Sequence, residues 1–97
     1  MENSKTIQSV ARAMAILECV AAADSNAALG QISSELALNK STVHGIAATL
    51  ERLGYLARHP ETGRYALGLK VWELGQSYVG NISILHESRR FMVELVK

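Results

Sequence analysis

Cysteine occurs once in this 97-residue chain and proline once. No apolar run is both long enough and free enough of charge to cross a membrane. The lone Cys19 excludes an intramolecular disulfide and fits a reducing compartment. It lies in an alanine-rich helical stretch with no histidine beside it, which makes it a small packing residue rather than a nucleophile. The apolar stretch near the N-terminus is broken by Arg12 and Glu18, and Met1-Glu2-Asn3-Ser4-Lys5-Thr6 has no signal-peptide pattern. The expectation is a soluble, cytoplasmic chain with no membrane partner. Catalytic patterns are missing too. Ser41 and His44 share a helix but have no acidic third partner. His44, His59 and His86 are scattered, without metal-ligand spacing. Gly63-Arg64-Tyr65-Ala66-Leu67-Gly68 is no phosphate-cradling loop, because tyrosine and leucine occupy it and no Lys-Ser/Thr follows. Neither enzymatic activity, nor a metal, nor a cofactor is expected.

The chain is long enough for one small domain with its own core. Its 48% apolar and 20% charged residues are ordinary for a folded protein. A formal net charge of +1 is small for a nucleic-acid-binding module. Placement matters more than the sum. The first 37 residues hold only Lys5 and Arg12 as bases, whereas Lys40, Arg52, Arg58, Arg64 and Lys70 fall between positions 40 and 70. A local basic face on a near-neutral chain can still meet phosphates.

Helical periodicity comes first. Val10, Ala13, Met14, Leu17, Val20 and Ala21 recur at helical spacing as one apolar face, with Ser9 as the expected N-cap and Asp24-Ser25-Asn26 as the turn that ends it. A second face of small residues, Ala11, Ala15, Cys19 and Ala22, is either helix-favouring filler or a close helix–helix contact. Leu29 to Ala37 forms a two-turn helix with Leu29, Ile32 and Leu36 on one side. Ala37-Leu38-Asn39 is the connection, with Leu38 plugging the core. Asn39 is placed to cap the next helix by accepting from the amides of Ser41 or Thr42. Val43, Ile46, Ala47, Leu50 and Leu53 make that helix's buried stripe, Gly54 closes it as a C′ glycine, and Lys40, Ser41, His44, Gly45, Ala48 and Arg52 are left outside.

That outer face suits the major groove of DNA. Small residues allow close approach, hydroxyls and a lysine can reach bases or phosphates, and the helix N-terminus favours an anion. It equally suits a plain cap and a solvated charge. A hairpin pattern follows and tips the balance toward DNA. Tyr55-Leu56-Ala57-Arg58-His59 and Arg64-Tyr65-Ala66-Leu67-Gly68 flank Pro60-Glu61-Thr62-Gly63, with Pro60 at the first corner and Gly63 supplying a positive φ. This places Leu56 opposite Leu67 and His59 opposite Arg64, gathering Arg58, His59 and Arg64 at one end of a ribbon that must pack on the helices. After Gly68 the pattern is helical again: Val71, Leu74 and Tyr78 share a face, with Trp72 and Val79 beside it. Gly80-Asn81 marks an expected break. A last segment from Ile82 to Lys97 is apolar around too wide an arc for an isolated helix, so it meets another domain or chain or folds back on the first helix.

Ser9-Val10-Ala11-Arg12-Ala13, Ile16-Leu17, Lys40-Ser41-Thr42-Val43-His44, Leu50-Glu51, Leu53-Gly54 and Gly63-Arg64-Tyr65-Ala66-Leu67-Gly68, taken in order, resemble the IclR-type bacterial transcription regulators. The resemblance runs from about Ser9 through Tyr78. It implies a mainly α fold with a small β-hairpin: a winged helix-turn-helix followed by linker helices. Residues 1–68 would be the DNA-binding domain. Residues 69–97 would be a linker helix and the start of a C-terminal effector-binding domain that lies outside this chain, making the chain a fragment of a longer regulator. The recognition helix would be Asn39 to Leu53, with Lys40, Ser41, Thr42 and His44 facing DNA and Arg58 and Arg64 on the wing. Gly45 and Arg52, on the same outer face, complete the expected DNA-binding set. Departures from the family pattern are informative. Gly45 stands where arginine is common, which removes a frequent DNA contact and costs about 1 kcal/mol of helix propensity relative to alanine. Asn39 replaces a common proline, and Ala37 replaces a common turn glycine. The implied partners are a double-stranded operator bound by a homodimer and, for the whole regulator only, a small-molecule effector. Repression is the expected mode. The alternative is a winged-helix module for protein contacts or dimerisation, which salt would barely affect, whereas DNA binding weakens as salt rises.

Overall fold

Among the described residues, four helices and one antiparallel hairpin follow one another in the order α1 (Gln8–Ala22), α2 (Leu29–Leu36), α3 (Lys40–Leu53), β1 (Leu56–Arg58), β2 (Tyr65–Leu67) and α4 (Leu69–Leu85). This computed structural model describes residues 5–85. The mainly α fold with a small hairpin expected from the sequence is the one observed. The final apolar segment and His86 lie outside the described residues, except that the backbone of residues 82–85 continues α4.

The core forms where α1, α2 and α3 meet the hairpin. Ile16, Val20, Ala27, Ile32, Val43 and Ala47 are fully buried, and Cys19, Leu50, Leu56 and Tyr65 nearly so. Leu29, Leu36, Leu38 and Ile46 pack against this cluster from its edges. Two expectations for α1 are corrected. Its helix starts at Gln8 with Ile7 in the cap position and no side-chain cap, so Ser9 lies inside the first turn instead of capping it. Its buried side is Ile16, Cys19 and Val20, while Val10 and Met14 are 58% and 52% exposed. The helix is apolar nearly all round, and the neighbours that choose its inner face lie far off in sequence. The small face containing Cys19 therefore turns into the core in part.

Helix ends follow local chemistry. Ala28 precedes α2 with extended backbone, and the Gln31 side chain accepts from its amide at 3.4 Å. Alanine has no oxygen to return the bond, so this cap is half made. The α2–α3 turn is closed by Ala37 in left-handed geometry (φ 56°), with the Leu38 amide donating to Ser33 O at 3.1 Å. Gly54 ends α3 at φ 94°, and the Tyr55 amide reaches back to Leu50 O at 2.8 Å, a Schellman closure.

The hairpin has the expected register: Leu56 pairs with Leu67, Ala57 with Ala66 and Arg58 with Tyr65. The His59 amide donates to Arg64 O at 2.9 Å, and Gly63 takes φ 75°. A feature that periodicity did not disclose is a third strand of one residue. Ala27, after α1, exchanges both backbone hydrogen bonds with Tyr65 (3.0 and 2.8 Å), so β2 is paired on both sides. The expected break at Gly80-Asn81 is absent, and α4 runs unbroken through both residues. Glycine lowers helix propensity by about 1 kcal/mol but removes no hydrogen bond, unlike proline, so the backbone ladder continues through both residues.

The start of α4 is joined to the C-terminal cap of α3. The Lys70 amide donates to Gly54 O at 3.1 Å, and the Gly68 amide donates to Tyr55 O at 2.9 Å. A Cβ on Gly68 would collide with the carbonyl oxygen of Gly54, so the two backbones meet with no side chain between them.

Candidate nucleic-acid interface

α3 is held from behind and open in front. Val43, Ala47 and Leu50 are buried, whereas Lys40, Ser41, His44, Gly45 and Arg52 are all exposed and Thr42 is half-buried. Leu53, expected in the buried stripe, is instead 57% exposed, because the helix has run past the core by its last turn. Asn39 caps the helix as its sequence position predicts: Oδ1 accepts the Thr42 amide at 2.9 Å. The Ser41 hydroxyl donates to the same oxygen at 3.0 Å, which leaves its lone pairs as acceptors. The amides of Lys40 and Ser41, at the first two helical positions, have no partner within the helix and are available to an anion. The Lys40 stem passes α2 at Gly30, where a Cβ would lie 3.8 Å from Lys40 Cε. Gly45 has open space around it: a Cβ there would meet nothing within 4 Å. Its carbonyl accepts the Thr49 hydroxyl at 3.1 Å, a local bond that leaves the glycine's outer surface bare.

The wing supplies the second part. Arg58 lies directly across from Tyr65, and its guanidinium carbon sits 5.0 Å from that ring's centroid. The arginine is thus steadied over an aromatic face while its charge stays exposed. Arg64 is held differently. Its Nε donates to Asn26 Oδ1 at 2.8 Å and its Nη2 to the Asn26 carbonyl at 3.3 Å. The two wing arginines therefore each have an internal partner of their own. Sequence reasoning named both arginines but missed Asn26 and the packing role of Tyr65. Asn26 carried only a turn-forming signal, and its partner is 38 positions away.

Cys19 has no part in this surface. Its thiol donates to Glu35 Oε1 at 3.3 Å. Burial, then the hydrogen bond and negative charge of Glu35, push its pKa up to about 11, which keeps it protonated and unreactive. Among the described residues no group of acidic, histidine or cysteine side chains could hold a metal, and no helix is long and apolar enough to cross a membrane.

Comparison with known proteins gives a consistent answer. The IclR helix-turn-helix domain family matches residues 9–60. The HTH-type transcriptional regulator XynR of Escherichia coli (strain K12) is 38% identical over 89 residues, which are 92% of this chain and 35% of that protein. The glycerol operon regulatory protein of Streptomyces griseus is 38% identical over 86 residues, 89% of this chain and 32% of that protein. A crystal structure of an IclR family transcriptional regulator from Brucella abortus is similar with a TM-score of 0.73 at 27% identity, covering 84% of this chain and 32% of that one. The chain thus spans about a third of the length of these relatives. With this helical arrangement, a hairpin and this family match together, the chain belongs to the IclR family of transcriptional regulators and carries that family's helix-turn-helix domain.

Proposed function

We propose that residues 1–68 form a sequence-specific DNA-binding domain that acts as a repressor, reading a roughly two-fold symmetric operator as a homodimer in the bacterial cytoplasm. The observation that carries this reading is the outer face of α3. Lys40, Ser41, His44, Gly45 and Arg52 are exposed together on a helix locked from behind by Val43, Ala47 and Leu50. Thr42 borders this face, and Arg58 and Arg64 extend it along the wing. In this reading Lys40, Arg52 and the arginines meet phosphates, while Ser41, Thr42 and His44 meet base edges. Gly45 lets the helix backbone come close to the groove. Repression follows from occluding a promoter.

Residues 69–97 then serve as a linker that joins this domain to an effector-binding domain. The exposed face of α4 supports a second copy as its partner: Leu69, Trp72 and Leu74 are 66%, 62% and 61% exposed, and Tyr78 and Val79 are also open. The relatives are regulators rather than enzymes.

The test is selection of bound fragments from sheared genomic DNA, followed by footprinting at two salt concentrations. Enrichment of a palindromic site, weakened by salt and by Lys40→Ala, is the expected result. No enrichment over bulk DNA at low salt would sink the reading. Binding of a protein partner, indifferent to salt and to Lys40→Ala, would favour the interaction module instead.

A further inference from the structure

Asn26 occupies a position with almost no freedom. Asp24 and Ser25 before it both take left-handed backbone, φ 58° and 59°, and Ala27 after it is bonded to Tyr65 in both directions. Ser25 Oγ accepts the Leu67 amide at 3.0 Å. The turn between α1 and α2 is thereby fastened to β2 on either side of Asn26. From this fixed point Asn26 grips Arg64 twice, through its side-chain oxygen and its main-chain carbonyl. A guanidinium has five N–H donors, so among the described residues three stay unclaimed, both of those on Nη1 among them. The chemistry of the holder also matters. An aspartate in this place would fix the guanidinium equally well but would cancel much of its charge, whereas the amide oxygen fixes it and leaves the charge whole. Among the described residues no carboxylate forms a salt bridge with Arg64, although Glu61 lines the same wing cleft.

We propose that Asn26 is a positioning residue for DNA binding, holding Arg64 rigid and fully charged so that its free Nη1 edge meets a backbone phosphate beside the wing. The proposal rests on the DNA-binding reading above. Preorganisation is the gain: the arginine's rotamers are settled before DNA arrives instead of being lost on contact. Asn26 itself touches no nucleic acid.

The test uses the 97-residue chain and a labelled mixed-sequence DNA duplex, which suffices because phosphate contacts are sequence-independent. Affinity is measured over a range of salt, and Tm is recorded for every variant. Asn26→Asp should keep the wing and the Tm, bind about tenfold more weakly at low salt, and lower the slope of log affinity against log salt by about one phosphate contact. Asn26→Ala should weaken binding about as much as Arg64→Ala does, and add nothing when Arg64 is already alanine. An Asn26→Asp chain with wild-type affinity and slope overturns the proposal. So does an Asn26→Ala change that weakens the Arg64→Ala protein by the same factor as the parent, since Asn26 would then be a fold element alone. Wild-type protein that binds no duplex at low salt overturns the DNA-binding reading itself, and with it the role of Asn26.

Discussion

At the scale of single residues, the positions that break a local rule are the ones worth changing. Ala37 sits in left-handed backbone, which costs an L-residue about 1–2 kcal/mol, and glycine would relieve it. Glycine also loosens the unfolded chain, which offsets about 0.4–1 kcal/mol. Ala37→Gly should therefore stabilise the domain by roughly 0.5–1 kcal/mol, seen as a higher urea midpoint at unchanged slope. A lower midpoint would mean that the turn carries no strain. Cys19 gives a pH prediction. Its thiol pKa rises from 9.0 to about 11 on folding, so the folded state holds this proton more tightly than the unfolded state. The stability from the neutral thiol is complete below pH 9 and is lost as pH climbs through 11. Wild type should lose Tm faster than Cys19→Ala across that window, while the two fall in parallel below it. Ala37 was legible as a departure from a glycine, but its dihedral was not, because the same letters fit a right-handed turn.

At the scale of elements, the joint between α3 and α4 invites a sharp test. Gly68→Ala puts a methyl group into the Gly54 carbonyl, which is backbone and has no rotamer to escape by. A loss of about 1–3 kcal/mol in stability is expected, read by thermal or urea unfolding. A neutral result would show that α4 can swing away from Gly54 freely. The hairpin was largely readable beforehand, since Gly63 and the alternation of Leu56 and Leu67 define both turn and register. The inner face of α1 was not. With apolar residues on nearly every side, its orientation was settled by α2, α3 and β2, and Ile16 went inward where Met14 had been expected. Nor was the Ala27–Tyr65 pairing readable, because one residue has no period. The unbroken α4 shows the weakness of Gly-Asn as a stop signal where no proline follows.

For the whole molecule, the question is what the apolar face of α4 does in water. Replacing Trp72 and Tyr78 together with glutamate changes two exposed side chains and leaves the core untouched. If the face joins two copies, sedimentation should show a dimer becoming a monomer, and affinity for a two-half-site operator should fall by about tenfold or more, since the second contact no longer comes tethered to the first. A chain that is monomeric before the change, or dimeric after it, refutes that use of α4. The exposed outer face of α3 and the place of the hairpin were legible from letters, because caps, turn glycines and basic placement are local signals. What holds each wing arginine was not, because those partners meet only after the chain has folded.

The crossing of Gly54 and Gly68 has a mechanical meaning. Where two helices are separated by side chains, a twist applied to one is absorbed as the side chains change rotamer. Here Gly68 meets the Gly54 carbonyl backbone to backbone, and the amide of Lys70 is tied to that same carbonyl. The start of α4 is thus coupled to the C-terminal cap of α3 through backbone, so a change in the direction of α4 must be met at Gly54 itself.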